Sequence, residues 1–174
     1  MGREQLHLPP PFEELMRRHE QEIMRFLLRA TGDREDAGDL FQETWLRAYR
    51  AYPRLAPDAD ARPWLYAIAA NLWRNRARDR ARRARVIVAQ MPEHLAPART
   101  KSGRAAHEND GYAAIHLRQL ISALPRKQRE ALYLRYFAGL DYAEIGAAMQ
   151  CSAQAARANV SQAARKLKAG RWDQ

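Results

Sequence analysis

Gln154, Arg157, Ala158, Ser161, Arg165 and Lys168 recur at three- and four-residue intervals near one end of a 174-residue chain, so a helix would align them along one side. An amide, a guanidinium, a hydroxyl, a small alanine and two further cations are what a helix needs to lie in the DNA major groove and bond base edges. The other side carries Ala156, Val160, Ala163 and Leu167, a stripe suited to packing. A solvated face of an ordinary helical hairpin would use the same residue types, so the surroundings must decide. Just upstream, Asp141 and Glu144 have the spacing of a capping box, and Leu140 with Ile145 supplies the hydrophobic staple. Ile145, Ala148 and Met149 form one apolar stripe, Gln150-Cys151 interrupt it, and Ser152 can cap the next helix. The stretch from Leu140 to Lys168 is expected to be a helix-turn-helix.

Two more residue sets could engage partners. Tyr66, Ala70 and Trp73 stand at i, i+4 and i+7, with Asn71 and Arg74 beside them. They head a run of Arg74, Arg76, Arg78, Arg80, Arg82, Arg83 and Arg85 that contains only Asp79 as an acid. Rings beside arginines suit single-stranded nucleic acid, because bases stack on the rings while guanidinium groups neutralise phosphates. The same rings suit the core of a three-helix packing. Trp64 is assigned to that core; for Tyr66 and Trp73 both readings stand. The third set is Asp39, Gln42, Glu43, Leu46, Arg47 and Arg50, opposite an apolar stripe of Ala37, Leu40, Phe41, Thr44, Trp45 and Ala48. A leucine among carboxylates and amides suggests a protein partner, although single exposed leucines are common.

Composition narrows the chemistry. The formal net charge of +10 points to a polyanionic partner. The charge gathers in two places, the arginine run and the last sixty or so residues, as two grips on one polymer would require. Cys151 is the single cysteine, so no internal disulfide framework is expected. His7, His19, His94, His107 and His116 lack ligand spacing; no metal, cofactor or catalytic group is expected. No apolar run of about 18 residues spans a membrane, and Met1 to Pro11 lacks a signal-peptide pattern. The expected location is the cytoplasm.

These residues need helices to hold them. Phe12, Leu15, Met16, His19, Ile23, Phe26 and Leu27 follow helical spacing from about Pro11 to Ala30, Gly32 stops that helix, and Asp33 can cap the next, Arg34 to about Ala51. Tyr52 to Pro63 is punctuated by three prolines and is expected to be a loop. A helix from Arg62 then carries Leu65, Ile68, Ala69 and Leu72 as its core stripe. Periodicity stops between Val86 and about Gly111, and Val86-Ile-Val could extend the preceding helix or touch a partner. Beyond it, Leu117, Leu120, Ile121 and Leu124 mark a helix, and Pro125 opens another over Arg126 to Ala138, with Leu132, Tyr136 and Phe137 inward and Gly139 as terminator. The expected fold is all-α: a domain over 1–86, a flexible linker over 87–112, and a helix-turn-helix domain over 113–174.

Three runs together carry a resemblance: Thr31-Gly-Asp-Arg-Glu-Asp-Ala-Gly-Asp-Leu-Phe-Gln-Glu-Thr-Trp-Leu-Arg-Ala, then Pro63-Trp-Leu-Tyr-Ala-Ile-Ala-Ala-Asn-Leu-Trp-Arg-Asn, then Leu124-Pro-Arg-Lys-Gln-Arg-Glu-Ala-Leu-Tyr-Leu-Arg-Tyr-Phe-Ala-Gly-Leu-Asp-Tyr-Ala-Glu-Ile-Gly. The chain resembles the bacterial RNA polymerase sigma factors of the sigma-70 family, in the two-domain extracytoplasmic-function (ECF) group. The third run alone would also suit response-regulator DNA-binding domains; the first, at this distance ahead of the others, is specific. The resemblance implies that Asp39, Leu40, Gln42, Glu43 and Leu46 dock on the clamp helices of core RNA polymerase. It implies that the Tyr52–Pro63 loop and the helix with Tyr66, Asn71, Trp73, Arg74 and Arg78 recognise and melt the promoter −10 element. Base capture there costs a few kcal/mol of unstacking and needs a pocket. The C-terminal domain would read the −35 duplex with Gln154, Arg157, Ala158, Ser161, Arg165 and Lys168 and touch the polymerase flap, and an anti-sigma factor is a further implied partner. Asn159, Gln162 and Ala164 stand where relatives commonly carry basic residues, which predicts a shallower salt dependence.

Two other functions compete. A stand-alone regulator binding an operator needs only the helix-turn-helix and leaves the residue 33–51 face unexplained. A DNA enzyme such as a recombinase would need a nucleophile among clustered arginines, and the available Ser102 and Tyr66 fall in a linker and a packed helix.

Overall fold

A computed structural model describes residues 11–90 and 112–170, without the side chains of 84–90 and 112–114. Among the described residues there are seven α-helices and no strand. The first unit comprises α1 (Phe12–Thr31), α2 (Arg34–Ala51), a single 3-10 turn at Tyr52–Arg54, and α3 (Ala61–Gln90). The second comprises α4 (Tyr112–Ala123), α5 (Arg126–Tyr136), α6 (Tyr142–Met149) and α7 (Ala153–Ala169). The expected linker over 87–112 lies outside the described residues, apart from the last turn of α3 and Tyr112. Helix α3 runs on to Gln90, so Val86-Ile-Val extends it.

Local signals set the boundaries. Gly32 adopts the left-handed conformation at φ 68° and its N–H bonds Leu28 O, ending α1. Asp33 caps α2 by accepting from the Asp36 N–H at 2.9 Å. At α6 the capping box is complete: the Glu144 N–H reaches Asp141 Oδ1 at 2.8 Å, and the Asp141 N–H reaches Glu144 Oε2 at 2.6 Å. Ser152 Oγ accepts from the Ala155 N–H at 3.1 Å and starts α7. Between α6 and α7 the backbone doubles back so closely that a Cβ on Gly146 would lie 2.7 Å from Cys151 O. Only glycine fits there.

In the first unit Ile23, Phe26 and Leu27 of α1 meet Leu40 and Trp45 of α2 and Leu65, Tyr66 and Ala69 of α3, all buried. In the second, Leu134, Leu140, Ile145 and Ala148 close on Ala156, Val160 and Ala163 of α7. One expectation for α5 fails. Tyr136 and Phe137 are 64% and 39% exposed, whereas Ala131, Leu132, Tyr133 and Leu134 are buried. The helix ends at Tyr136, and left-handed Gly139 turns the chain so that the Leu140 N–H bonds Leu134 O, leaving the two rings at the rim.

The two units are packed against each other, chiefly α6 of the second on α3 of the first, with α5 touching α1. Trp73 stands between Phe26 of α1 and Tyr133 of α5, edge-on to both at 6.5 and 5.9 Å between ring centroids. Such pairs contribute about 0.5–1.5 kcal/mol each beyond their buried area. Arg29 of α1 lies over the Phe137 ring, 4.7 Å from its centroid.

Candidate nucleic-acid interface

Helix α7 presents the first candidate surface. Gln154, Arg157, Ala158, Ser161, Arg165 and Lys168 are all exposed, and Ala156, Val160 and Ala163 are buried behind them. The inward stripe fixes the helix, so the outward face is set by the 3.6-residue period. Arg157 lies over the Tyr142 ring at 5.8 Å, which orients its guanidinium without pairing it to an acid. Asn159 and Gln162 are held within the protein: Asn159 Nδ2 donates to Ala155 O at 2.9 Å, and Gln162 Oε1 accepts from Gln128 Nε2 at 2.7 Å.

Helix α3 is different. Arg74 donates through Nε and Nη2 to Glu130 Oε1 at 3.0 and 2.7 Å, and through Nη2 to Ala148 O at 2.9 Å. Ala148 lies in the last turn of α6, where free carbonyls favour a cation. Burial pushes the Glu130 carboxyl above its ordinary range, against the pull of Arg74, Arg126 and Lys127. Arg62 Nη2 also crosses to the second unit, donating to Ala138 O. The face of α3 carrying Arg62, Trp73 and Arg74 is therefore covered by the second unit.

The expected strand-binding residues divide into three kinds. Tyr66 must be corrected: it is fully buried, its ring edge-on to Phe26 at 5.3 Å and its hydroxyl donating to Glu22 Oε2 at 3.4 Å, both partners on α1. Burial, then the Glu22 charge, pushes its hydroxyl up to about 12 despite Arg62 and Arg25. No base can stack on a ring enclosed by its own unit. Trp73 is buried and Arg74 is engaged partly by the second unit, so their availability depends on the two units separating. Asn71 is half-buried, and Arg78 is exposed with Nη2 on Asn75 Oδ1 at 3.0 Å.

The arginine run is less free than its composition implies. Arg76 pairs with Asp39 at 3.2 Å and Asp36 at 3.6 Å, and Arg80 pairs with Asp36, so both pin α3 to α2. With Arg74, three of the arginines are spent on cross-helix pairs. Sequence order hid the acids that meet them, Asp36, Asp39 and Glu130, because these lie some forty to sixty residues away.

On α2, Asp39, Gln42 and Leu46 are exposed, with Leu46 at 44%, and Glu43 is half-exposed in a pair with Arg47 at 2.7 Å. Leu40 must be corrected. It is 2% exposed, on the stripe with Ala37, Thr44 and Ala48, and its side chain belongs to the core. Tyr49, 61% exposed one turn beyond Leu46, extends this face and was missed; its i+3 spacing from Leu46 was the available signal.

Comparison with known proteins now decides the family. The description "Sigma-70 region 2" matches residues 15–83, and "Sigma-70, region 4" matches residues 115–167. The RNA polymerase sigma-H factor of Pseudomonas aeruginosa is 31% identical over 159 residues, covering 87% of this chain and 81% of that protein. The chain belongs to the sigma-70 family. Its group is the ECF sigma factors: the ECF RNA polymerase sigma factor SigC of Mycobacterium tuberculosis is 32% identical over 151 residues, covering 87% of this chain and 78% of its own. The fold matches the sigma factor RpoE of Bartonella quintana, solved in complex with the anti-sigma factor NepR. The TM-score is 0.72 at 20% identity, over 94% of this chain and 98% of that one. This sigma factor therefore acts in promoter-specific transcription initiation, and the stand-alone operator-binding regulator is not favoured, since the region 2 match accounts for the α1–α3 unit. Members of the family are DNA-recognition subunits, not enzymes. Among the described residues no helix is long and apolar enough to cross a membrane, and no cluster of side chains could hold a metal ion.

Proposed function

We propose that this sigma factor works through three separate surfaces, acting in the cytoplasm and without catalysis of its own. The exposed face of α2, with Asp39, Gln42, Glu43, Leu46 and Tyr49, docks on the clamp helices of core RNA polymerase. The outward face of α7, Gln154 through Lys168, reads the −35 element as duplex, with Arg157 placed for a bidentate guanine contact, while the second unit touches the flap. Asn71, Trp73, Arg74 and Arg78 hold the melted −10 strand once the second unit leaves α3. An anti-sigma factor belongs to this reading as the partner that would keep the units together.

The observation that carries the reading is the contrast in access. Every expected −35 residue on α7 is exposed, as are most of the α2 docking residues, while Trp73 and Arg74 are covered by the other unit. A pull-down with core polymerase tests the docking assignment. Wild type is expected to bind, and Asp39→Lys with Glu43→Lys is expected to weaken binding; equal binding by both would remove α2 from the reading. Transcription by core enzyme with and without the protein then tests the whole: promoter-dependent transcripts should require it.

A further inference from the structure

Beside the covered face of α3 lies a polar cleft of about 470 Å³ between α1 and the start of α3, lined by Arg17, Arg18, Arg25, Arg62, His19 and Glu22 among others. Its charges do not cancel. Glu22 takes bonds from three neighbours: Arg62 Nε at 3.2 Å, Tyr66 Oη at 3.4 Å, and the His19 ring nitrogen. Arg18 pairs with Glu14 at 3.0 Å. Among the described residues, Arg17 and Arg25 pair with no acid. Each uses only Nε, and only on a main-chain carbonyl of its own helix: Arg17 on Glu13 O at 3.4 Å and Arg25 on Gln21 O at 3.2 Å. Their outer guanidinium nitrogens, four in all, are left without a partner among the described residues. A concave site with unspent guanidinium donors suits a phosphate group, which accepts paired N–H bonds.

Its position selects the source of that phosphate. Arg62 is one turn ahead of Tyr66 and in line with Trp73 three turns further on, so the cleft continues the covered face toward the N-terminal end of the helix. Separating the two units releases Arg62 Nη2 from Ala138 O and adds a third donor group at the edge of the cleft. We infer that Arg17, Arg25 and Arg62 form a backbone-phosphate clamp for single-stranded DNA leaving the α3 face. This rests on the reading that α3 holds a melted strand, and it adds a contact on α1, outside the residues expected to bind DNA. The clamp takes phosphodiester and reads no base, so it positions the strand without specifying sequence.

The test uses the full chain in complex with core RNA polymerase, where the second unit is expected to have left α3. It measures binding to a short, mixed-sequence, single-stranded oligonucleotide by fluorescence anisotropy across a potassium chloride series. Each phosphate contact on single strands contributes about 0.7 to the slope of log K against log salt. Arg17→Ala with Arg25→Ala should therefore flatten the slope by about 0.7 to about 1.4. Arg34→Ala with Lys127→Ala, the same charge change at exposed positions outside the proposed surfaces, should leave it unchanged. The clamp is overturned if both pairs flatten the slope equally, if neither does, or if wild type does not bind the strand. It is also overturned if ATP binds the cleft while the oligonucleotide does not, which would make it a free-nucleotide site. Core-polymerase pull-down by the Arg17/Arg25 variant separates this from the larger reading. If the clamp alone is wrong, docking persists; if the larger reading is wrong, wild type also fails to dock.

Discussion

Helices α3 and α7 both carry arginines and small polar residues on one side, yet α7 shows that side to solvent and α3 has it covered. The difference lies in how much apolar surface each must bury. Helix α7 has a single narrow stripe, Ala156, Val160 and Ala163, which its own unit covers. Helix α3 has two adjacent strips, Leu65, Ala69 and Leu72 beside Tyr66, Ala70 and Trp73, all buried. Within the second strip, Tyr66 is closed over by Phe26 of its own unit, whereas Trp73 is closed on its far side by Tyr133 of the other unit. The face that reads duplex DNA is therefore ready in the resting molecule, and the face for melted DNA is not.

Breaking the cover should have the largest effect. Arg74→Ala leaves Glu130 buried and unpartnered, which costs about 3–5 kcal/mol for a buried pair. The second unit is expected to leave α3, raising the radius of gyration in small-angle scattering. Arg74→Met with Glu130→Leu removes both charges and should restore the compact form, since apolar replacement of a buried pair is often neutral. Tyr66→Ala should come next, costing about 3–5 kcal/mol of stability as a core aromatic truncation. Tyr66→Phe should cost about 1 kcal/mol, because only the hydrogen bond to Glu22 goes. Urea denaturation measures both, and a Tyr66→Ala protein as stable as wild type would return that ring to the strand-binding surface.

On α7 the expectation reverses. Arg157→Ala should leave stability within about 0.5 kcal/mol and cost about 1–3 kcal/mol of base discrimination. Binding to a panel of upstream duplexes checks this; a uniform loss over all sequences would make Arg157 a phosphate contact. The smallest effect is a pH dependence. Glu130 has its pKa raised above 4.5 in the folded protein, so the folded state holds the proton more tightly than the unfolded chain. The stability this contributes is present below the unfolded value and lost as pH rises through the folded one. Wild type should therefore lose stability relative to Glu130→Gln as pH rises from the ordinary glutamate value through the raised folded one, measured by paired urea titrations.

What could be read from the sequence came from local rules. The caps at Asp33, Asp141 and Ser152 and the face of α7 all depend on spacings within a few residues, where helix geometry leaves little freedom. Leu40 was legible both as core and as docking residue, and burial settled it, since a side chain cannot serve both. Tyr66 and Trp73 were undecidable because the partner that encloses each ring, Phe26 or Tyr133, lies far away in sequence. The pairing of Arg74 with Glu130 had no local signal at all, and neither did the cleft that joins Arg17 and Arg25 to Arg62.

The central claim is that the second unit covers α3 at rest and leaves it when polymerase is engaged. The exposed lone Cys151, in the turn before α7, supplies one spin-label site, and Asp58→Cys, exposed in the loop before α3, supplies another. The distance between them, measured by pulsed electron resonance in the free protein and in complex with core RNA polymerase, tests it. A single short distance in the free protein that lengthens on binding is the predicted result. The same distance in both states, in a complex that still initiates transcription, would contradict it.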